Sequence, residues 1–297
     1  MNQQNSFVAT IDLALSQKIR QDLEDQGFEF SCPAYTIFHA KKKGVSCTLY
    51  KSGKFVVQGK DKHDFITYYL EPKILGKFSY SYPHIEANSF PHIGVDEAGK
   101  GDLFGPLCIA ALYANADQIA RLIQMGVRDS KRLKEATVLK LSQQIQKNFT
   151  TSLVRISPKR YNELYQKMQN LNTLLGLGHA TVIEKIVLKT HCIDVLIDQF
   201  ASKHVVSSAL KKKNLSLNLS QKHHAEQDVV VAGASILARA AFVQELEKIS
   251  QNYRITLPKG ASSQVIRAGK NFVNTYGKDA LHMVAKLHFK TINHILC

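Results

Sequence analysis

Four carboxylates set the chemistry this sequence is able to do: Asp96 and Glu97 within GVDEAGKGDLFGP, Asp198 closing IDVLID, and Glu226 within HHAEQD. Alone, each reads as a solvated turn residue or a helix cap. Gathered on one edge they would suppress one another's ionisation, because like charges at short range disfavour the charged form. A divalent cation removes that conflict. Mg²⁺ and Mn²⁺ take carboxylate and water oxygens, and two such ions about 4 Å apart activate water and stabilise the leaving oxygen of a phosphodiester. A competing reading of the same stretch is a phosphate-cradling loop, since Gly94, Gly99 and Lys100 fit all but the last position of a Walker A pattern. That pattern needs Ser or Thr after its lysine, and here the residue is Gly101. Asp96 and Glu97 would also face the phosphates with the wrong charge.

Placing such acids together takes strand ends. HIGVDEAG and PLCIAALYA read as neighbouring strands, TSLVRIS as a third, and IDVLIDQF as a buried strand, an apolar run flanked by polar residues. Asp96, Glu97 and Asp198 then fall where open α/β sheets bind ligands. Adjacent strand residues point to opposite faces, so Asp96 and Glu97 join one cluster only if the chain leaves its pleat there. The run Ala98-Gly99-Lys100-Gly101 permits that departure. Helices are predicted over Asp117–Met125, over Lys134–Lys147 and within Leu164–Lys189. VVVAGASILARAAFVQELEKI has the length and period of another, and its Ala232, Gly233, Ser235 and Ala240 are small enough to lie close to a sheet. That helix would return Glu226 to the acidic edge, with Asp228 as its N-terminal residue.

Upstream, Leu13, Leu15, Ile19 and Leu23 mark an amphipathic helix that stops at Gly27. YTIFHA, VSCTLY and KFVVQG read as strands, the last two joined at the turn KSG, and a helix over Asp61–Leu70 ends at Pro72. Ser79–His92, with two prolines and no period, suits a linker. The expected division is an N-terminal unit with its linker, 1–85, and an α/β unit with a mixed sheet, 86–297.

At 297 residues and 44% hydrophobic the chain is long and apolar enough for two cores. Its 39 basic against 24 acidic residues give a net charge of +15, which implies a polyanionic partner. Nucleic acid fits better than a membrane surface, since no Lys-rich amphipathic helix with an aromatic face is evident. Lys41, Lys42, Lys43, Lys51, Lys54, Lys60 and Lys62 lie close together with only Asp61 opposing them. A second basic run extends from Lys203 through Lys211 and Lys213 to Lys222; either run alone reads as a solvated face. No apolar run of membrane-spanning length and no signal peptide is read from the sequence, so a cytoplasmic location is expected. Five scattered cysteines read as free thiols.

Taken together, GVDEAGKGDLFGP, VRDSKRL, IDQF, HHAE with VAGASILAR, and LPKGAS with YGKDALHMVAKLHF resemble bacterial ribonuclease HIII in order and spacing, from residue 93 to the end. The resemblance implies a ribonuclease H-like α/β fold, a mixed sheet with flanking helices, preceded by a small α+β substrate-binding domain like the TATA-binding protein. It implies endonucleolytic hydrolysis of the RNA strand of RNA–DNA hybrids with Mg²⁺ or Mn²⁺, two ions during catalysis, leaving 5′-phosphate and 3′-hydroxyl ends. The family's acidic quartet falls on Asp96, Glu97, Asp198 and Glu226, and Glu in the fourth position favours type III over the related type II enzymes. Gly99-Lys100-Gly101 would approach the sugar-phosphate backbone, the glycines giving access to 2′-hydroxyls and Lys100 neutralising a phosphate. Lys131 and Tyr276 are further substrate-contact candidates, with core packing an equal alternative for Tyr276. Lys100 stands where type II relatives carry Arg with its planar fork, which bears on recognition of single ribonucleotides. A monomer is expected. Two alternatives stay open: a type II-like enzyme incising at single ribonucleotides in DNA, and a non-catalytic nucleic-acid-binding protein.

Overall fold

In a computed structural model of the chain, residues 6–75, 90–198, 203–211, 213, 215–222 and 225–297 are described. Contacts divide the chain into two compact units, Met1–Ser89 and Phe90–Cys297. The boundary expected near residue 85, and most of the expected linker, fall outside the described residues.

The first unit runs β1 (Ser6–Thr10), α1 (Ser16–Asp25), β2 (Glu29–Ser31), β3 (Thr36–Lys42), β4 (Val45–Tyr50), β5 (Lys54–Gln58) and α2 (Lys62–Phe65). Its five-stranded antiparallel sheet has the order β1-β5-β4-β3-β2. The period of two sends Phe38, Ala40, Cys47, Leu49, Phe55 and Val57 into one core with Ile19 and Leu23 of α1. Ile37, His39, Lys41, Thr48, Lys54 and Val56 alternate with them and carry the other face. One expectation is corrected here. The helix that begins at Lys62 does not stop at Pro72 but continues in π-helical turns over Ile66–Leu75, burying Ile66 and Leu70. The wider turn lets the chain continue through a proline that would break an α-helix.

The second unit contains β6 (His92–Ala98), β7 (Leu107–Ala114), α3 (Ala116–Gln124), α4 (Glu135–Asn148), β8 (Thr150–Ile156), α5 (Pro158–Met168), α6 (Leu171–Thr190) and β9 (Asp194–Asp198). It continues with α7 (Lys203–Lys211), β10 (Asn218–Lys222), α8 (Val229–Asn252), α9 (Ser263–Tyr276) and α10 (Thr291–Leu296). The sheet order is β10-β9-β6-β7-β8, with β6, β7 and β8 antiparallel and β6, β9 and β10 parallel, a mixed sheet as expected. The second lysine run is more than a solvated stretch: it folds as α7 and the edge strand β10, with Val206, Leu210 and Leu219 buried.

Helices cover both faces of this sheet. Ile93 and Val95 of β6 pack with Leu174, Leu175 and Ile183 of α6 on one side. On the other, α8 lies so close that a Cβ on Gly94 would stand 2.5 Å from the backbone of Val230 and Val231. Asp228 caps α8 by accepting from Val230 N and Val231 N, and His92 Nε2 donates to the same carboxylate at 3.0 Å, which ties the helix start to the start of β6. A second correction follows. α6 and α8 are both long and apolar enough by length and composition to cross a membrane, against the expectation of no run of that length. Their apolar character serves sheet packing, most fully in α8, where 83% of the apolar window is buried.

Gly94→Ala should therefore lower stability by roughly 1–3 kcal/mol or more, since the added methyl meets helix backbone and not a flexible side chain. Gly101→Ala, whose Cβ would meet nothing within 4 Å, is the comparison. A denaturant titration in which the two variants unfold at the same midpoint would rule out the close approach.

Candidate active site

The site begins as a matter of register. β6 and β9 pair in parallel as Ile93↔Val195, Gly94↔Leu196 and Val95↔Ile197. The next residue on each strand is an acid, Asp96 on one and Asp198 on the other. Equivalent positions of neighbouring strands share a face, so the pairing delivers both carboxylates to one sheet edge. They line a cleft of about 630 Å³ together with Glu97, Lys100 and Lys131.

Glu97 reaches that cleft by a different route from the one expected. Pairing with β7 continues through Asp96↔Ala110, Glu97↔Ile109 and Ala98↔Cys108, so the strand keeps its pleat through both acids. The departure starts one residue later, at Gly99, with φ +88° and a position where a Cβ would lie 2.2 Å from the Pro106 carbonyl. Asp96 and Glu97 accordingly belong to opposite faces of the sheet end. Asp96 accepts from Glu97 N at 2.8 Å and has Ser235 of α8 beside it. Glu97 accepts from His179 Nε2 of α6 at 3.1 Å and pairs with Lys100 Nζ at 3.8 Å. Gly94 sits inside β6 against α8, which excludes the phosphate-cradling reading of this stretch.

These settings give the two acids different electrostatics. Burial, and then repulsion from Glu97, push the Asp96 carboxyl up to about 7 against the hydrogen bonds it receives. Burial also pulls Glu97 upward, but His179 and Lys100 outweigh it and hold that carboxyl below its ordinary value. Asp198 accepts from Ala225 N at 3.2 Å, and Glu226 belongs to the same 3₁₀ turn, Ala225–Gln227. The side chain of Glu226 lies outside the described residues, as do Gln199, Phe200, His223 and His224. Among the described residues no group of three His, Cys, Asp or Glu is assembled to grip a metal ion. The donor set is nevertheless oxygen throughout, with one carboxyl pushed toward its neutral form by burial and by its neighbour. That is the chemistry a hard divalent cation relieves.

Several residues in and behind the cleft have roles that no local sequence pattern assigns. His179 is fully buried within α6. Ser130 and Ser235 hydroxyls lie 2.9 Å apart, Arg239 donates to the Ser130 carbonyl, and Lys259 pairs with Glu135. Ser235 and Arg239 are four residues apart on α8, so their shared face was legible, but their target was not. Gly101 and Lys131 line the cleft, and Asp129 accepts from Lys131 N at 2.9 Å. Tyr276 is not among the lining residues. Its hydroxyl donates to the Tyr253 carbonyl at 2.6 Å, and its ring packs against Phe272 while the residue stays exposed.

Residues 93–292 match the family described as Ribonuclease HII, and residues 6–81 match a domain of unknown function, DUF3378. The chain is 51% identical to ribonuclease HIII of Protochlamydia amoebophila, over 98% of this chain and 96% of the relative. It is 46% identical to ribonuclease HIII of Chlamydia felis over 97% of each. Among solved structures, Bst-RNase HIII in complex with Mn²⁺ is similar over 98% of both chains, with a TM-score of 0.67 and 27% identity. Aquifex aeolicus RNase H3 is similar over 96% of this chain and 100% of that one, with a TM-score of 0.57 and 25% identity. Likeness at this level spans both units and both strands that carry the paired acids, and on that basis the chain belongs to the ribonuclease HIII family of ribonuclease H endonucleases.

Proposed function

We propose that the protein hydrolyses the RNA strand of RNA–DNA hybrids at the joint end of β6 and β9, leaving 5′-phosphate and 3′-hydroxyl ends. The observation that carries this reading is the emergence of Asp96 and Asp198 side by side, one step past the last paired residues, in a cleft of a strongly basic chain. Asp96, Glu97, Asp198 and Glu226 would hold two divalent ions, Mg²⁺ or Mn²⁺, which when bound supply water activation and neutralise charge on the leaving oxygen. Ser235 of α8 stands beside Asp96, and His179 favours the ionised form of Glu97 from the opposite face. Lys100 and Lys131 line the cleft and would neutralise phosphates, while the main chain of Gly99 and Gly101, in the same lining, would meet 2′-hydroxyls.

The N-terminal unit is assigned the holding of substrate. Its helices occupy one sheet face, and Lys41 and Lys54 belong to the alternate set on the other, both exposed.

Asp96→Asn and Asp198→Asn should abolish turnover while metal-free affinity for a hybrid stays equal or rises, because a negative charge near the phosphates is gone. Glu226→Gln should be similarly damaging, whereas Asp228→Asn should chiefly weaken the α8 cap. A hybrid with several consecutive ribonucleotides should be cut far faster than DNA holding one. Near-normal cleavage by Asp96→Asn, or a larger loss from Asp228→Asn than from Glu226→Gln, would overturn the assignment.

The raised Asp96 carboxyl also has a signed consequence for stability without metal. Its folded value of about 7 lies above the ordinary 3.8, so the folded state binds the proton more tightly between those limits. Metal-free stability should therefore fall as pH rises through that window. Asp96→Asn should flatten the slope and melt above the parent protein beyond neutrality. Identical melting profiles against pH for the two proteins would show that Asp96 is not held in this way.

Replacing Lys41 and Lys54 together by Gln should weaken hybrid binding most at low salt. The slope of log affinity against log salt should become shallower by roughly 0.7–0.9 for each phosphate that is no longer neutralised. An unchanged slope in a fluorescence titration would remove this face from the substrate path.

A further inference from the structure

Lys286 lies outside the cleft and is fully buried beside Val284 and Ala285 of the C-terminal apolar cluster. An ammonium in such a place is costly unless its donors are met. Here they are met by the main chain of a single loop. Nζ donates to the carbonyls of Asp102 at 2.7 Å and Gly105 at 2.8 Å, with that of Phe104 at 3.5 Å. The backbone around Lys286 grips the same loop: Lys286 N donates to Leu103 O at 2.9 Å and Gly105 N to Val284 O at 3.0 Å. From another side, Leu103 N donates to Gly260 O at 3.0 Å and Gly260 N to Asp102 Oδ1 at 2.6 Å. The four residues held in this way follow directly on Gly99-Lys100-Gly101. Asn162 of α5 anchors the clamp in turn, donating to Ala285 O and accepting from Leu287 N, each at 2.9 Å.

We propose that Lys286 is a positioning residue for substrate recognition: its ammonium clamps the 102–105 loop and so sets the main chain of Gly99 to Gly101 against the hybrid. The role rests on the reading above, in which that main chain meets the RNA strand. Converging carbonyls repel one another unless a multiple donor sits between them, and charge-assisted bonds hold them more firmly than neutral ones. An apolar residue at 286 would leave the carbonyls buried without partners. Burial pulls the ammonium down to about 7, and Asp102 opposes that pull.

The test is hydrogen exchange of the full-length chain, read by peptide, in Lys286→Met. Amides of the peptide spanning 99–106 should exchange faster while those of β6 and β9 upstream of the acids do not change. Metal-free affinity for a hybrid should fall by roughly five- to tenfold, and that for duplex DNA by less than about twofold. Unchanged exchange at 99–106, or an equal rise throughout the sheet, would overturn the clamp. Should Lys286→Met not fold, Asn162→Ala decides by the same profile, since it loosens the clamp from its outer side. Lys100→Ala separates the clamp from the reading on which it rests. If Lys100→Ala weakens hybrid binding while Lys286→Met leaves 99–106 protected, the clamp fails and the loop's contact with RNA stands. If Lys286→Met frees 99–106 but neither variant changes hybrid affinity, the mechanical clamp is supported, while the positioning role fails with the reading beneath it.

Discussion

The parallel pairing of β6 with β9 is the constraint on which the rest depends. Two hydrophobic strands, brought together by burial of Val95 and Ile197, stop pairing with each other in step, and the first residue beyond that pairing is an aspartate on each. Hydrophobic burial thus forces together two like charges that electrostatics alone would separate. Parallel strands need a long crossover, and α6 is part of the connection that brings the chain from β8 to β9. The close seat of α8 over Gly94 fixes the other face. With helices packed on both sides, the sheet has little freedom to splay its acidic end.

Keeping the pleat through Asp96 and Glu97 has a chemical result. Adjacent carboxylates on opposite faces receive different neighbours: a serine hydroxyl from α8 for Asp96, a buried imidazole from α6 for Glu97. One is pushed toward its neutral form and the other kept charged, so the pair divides the repulsion unequally. Environments that separate the titration of neighbouring acids are typical of functional sites.

The loop leaving β6 shows how a local signal and a distant support combine. Gly99 permits the turn because its positive φ and the nearby Pro106 carbonyl admit no side chain. What holds the following residues comes from Gly260, Val284 and Lys286, more than 150 positions along the chain. The C-terminal segment therefore does more than close the core with Phe272 and Ile295; it sets the shape of one wall of the cleft.

Much of this was determined by the sequence itself. The strands HIGVDEAG and IDVLID, the small-residue helix and the Asp228 cap all follow from short-range rules of alternation, capping and residue size. The motifs around Asp96, Asp198 and Glu226 carried the family resemblance. Other features were decided only by tertiary contacts. No local pattern marks His179 as the partner of Glu97, because an apolar helix tolerates one histidine without betraying what it faces. The exit from the pleat falls later than the sequence suggests, because glycines after a strand allow an early exit but do not compel it; pairing with Cys108 and Ile109 keeps the strand in register to Ala98. α7, β10 and the continuation past Pro72 lack a clear local signal, their weak preference being overruled by the apolar surface each could bury. In the sequence Lys286 is one lysine among many, and only the convergence of three carbonyls on its ammonium gives it a distinct place.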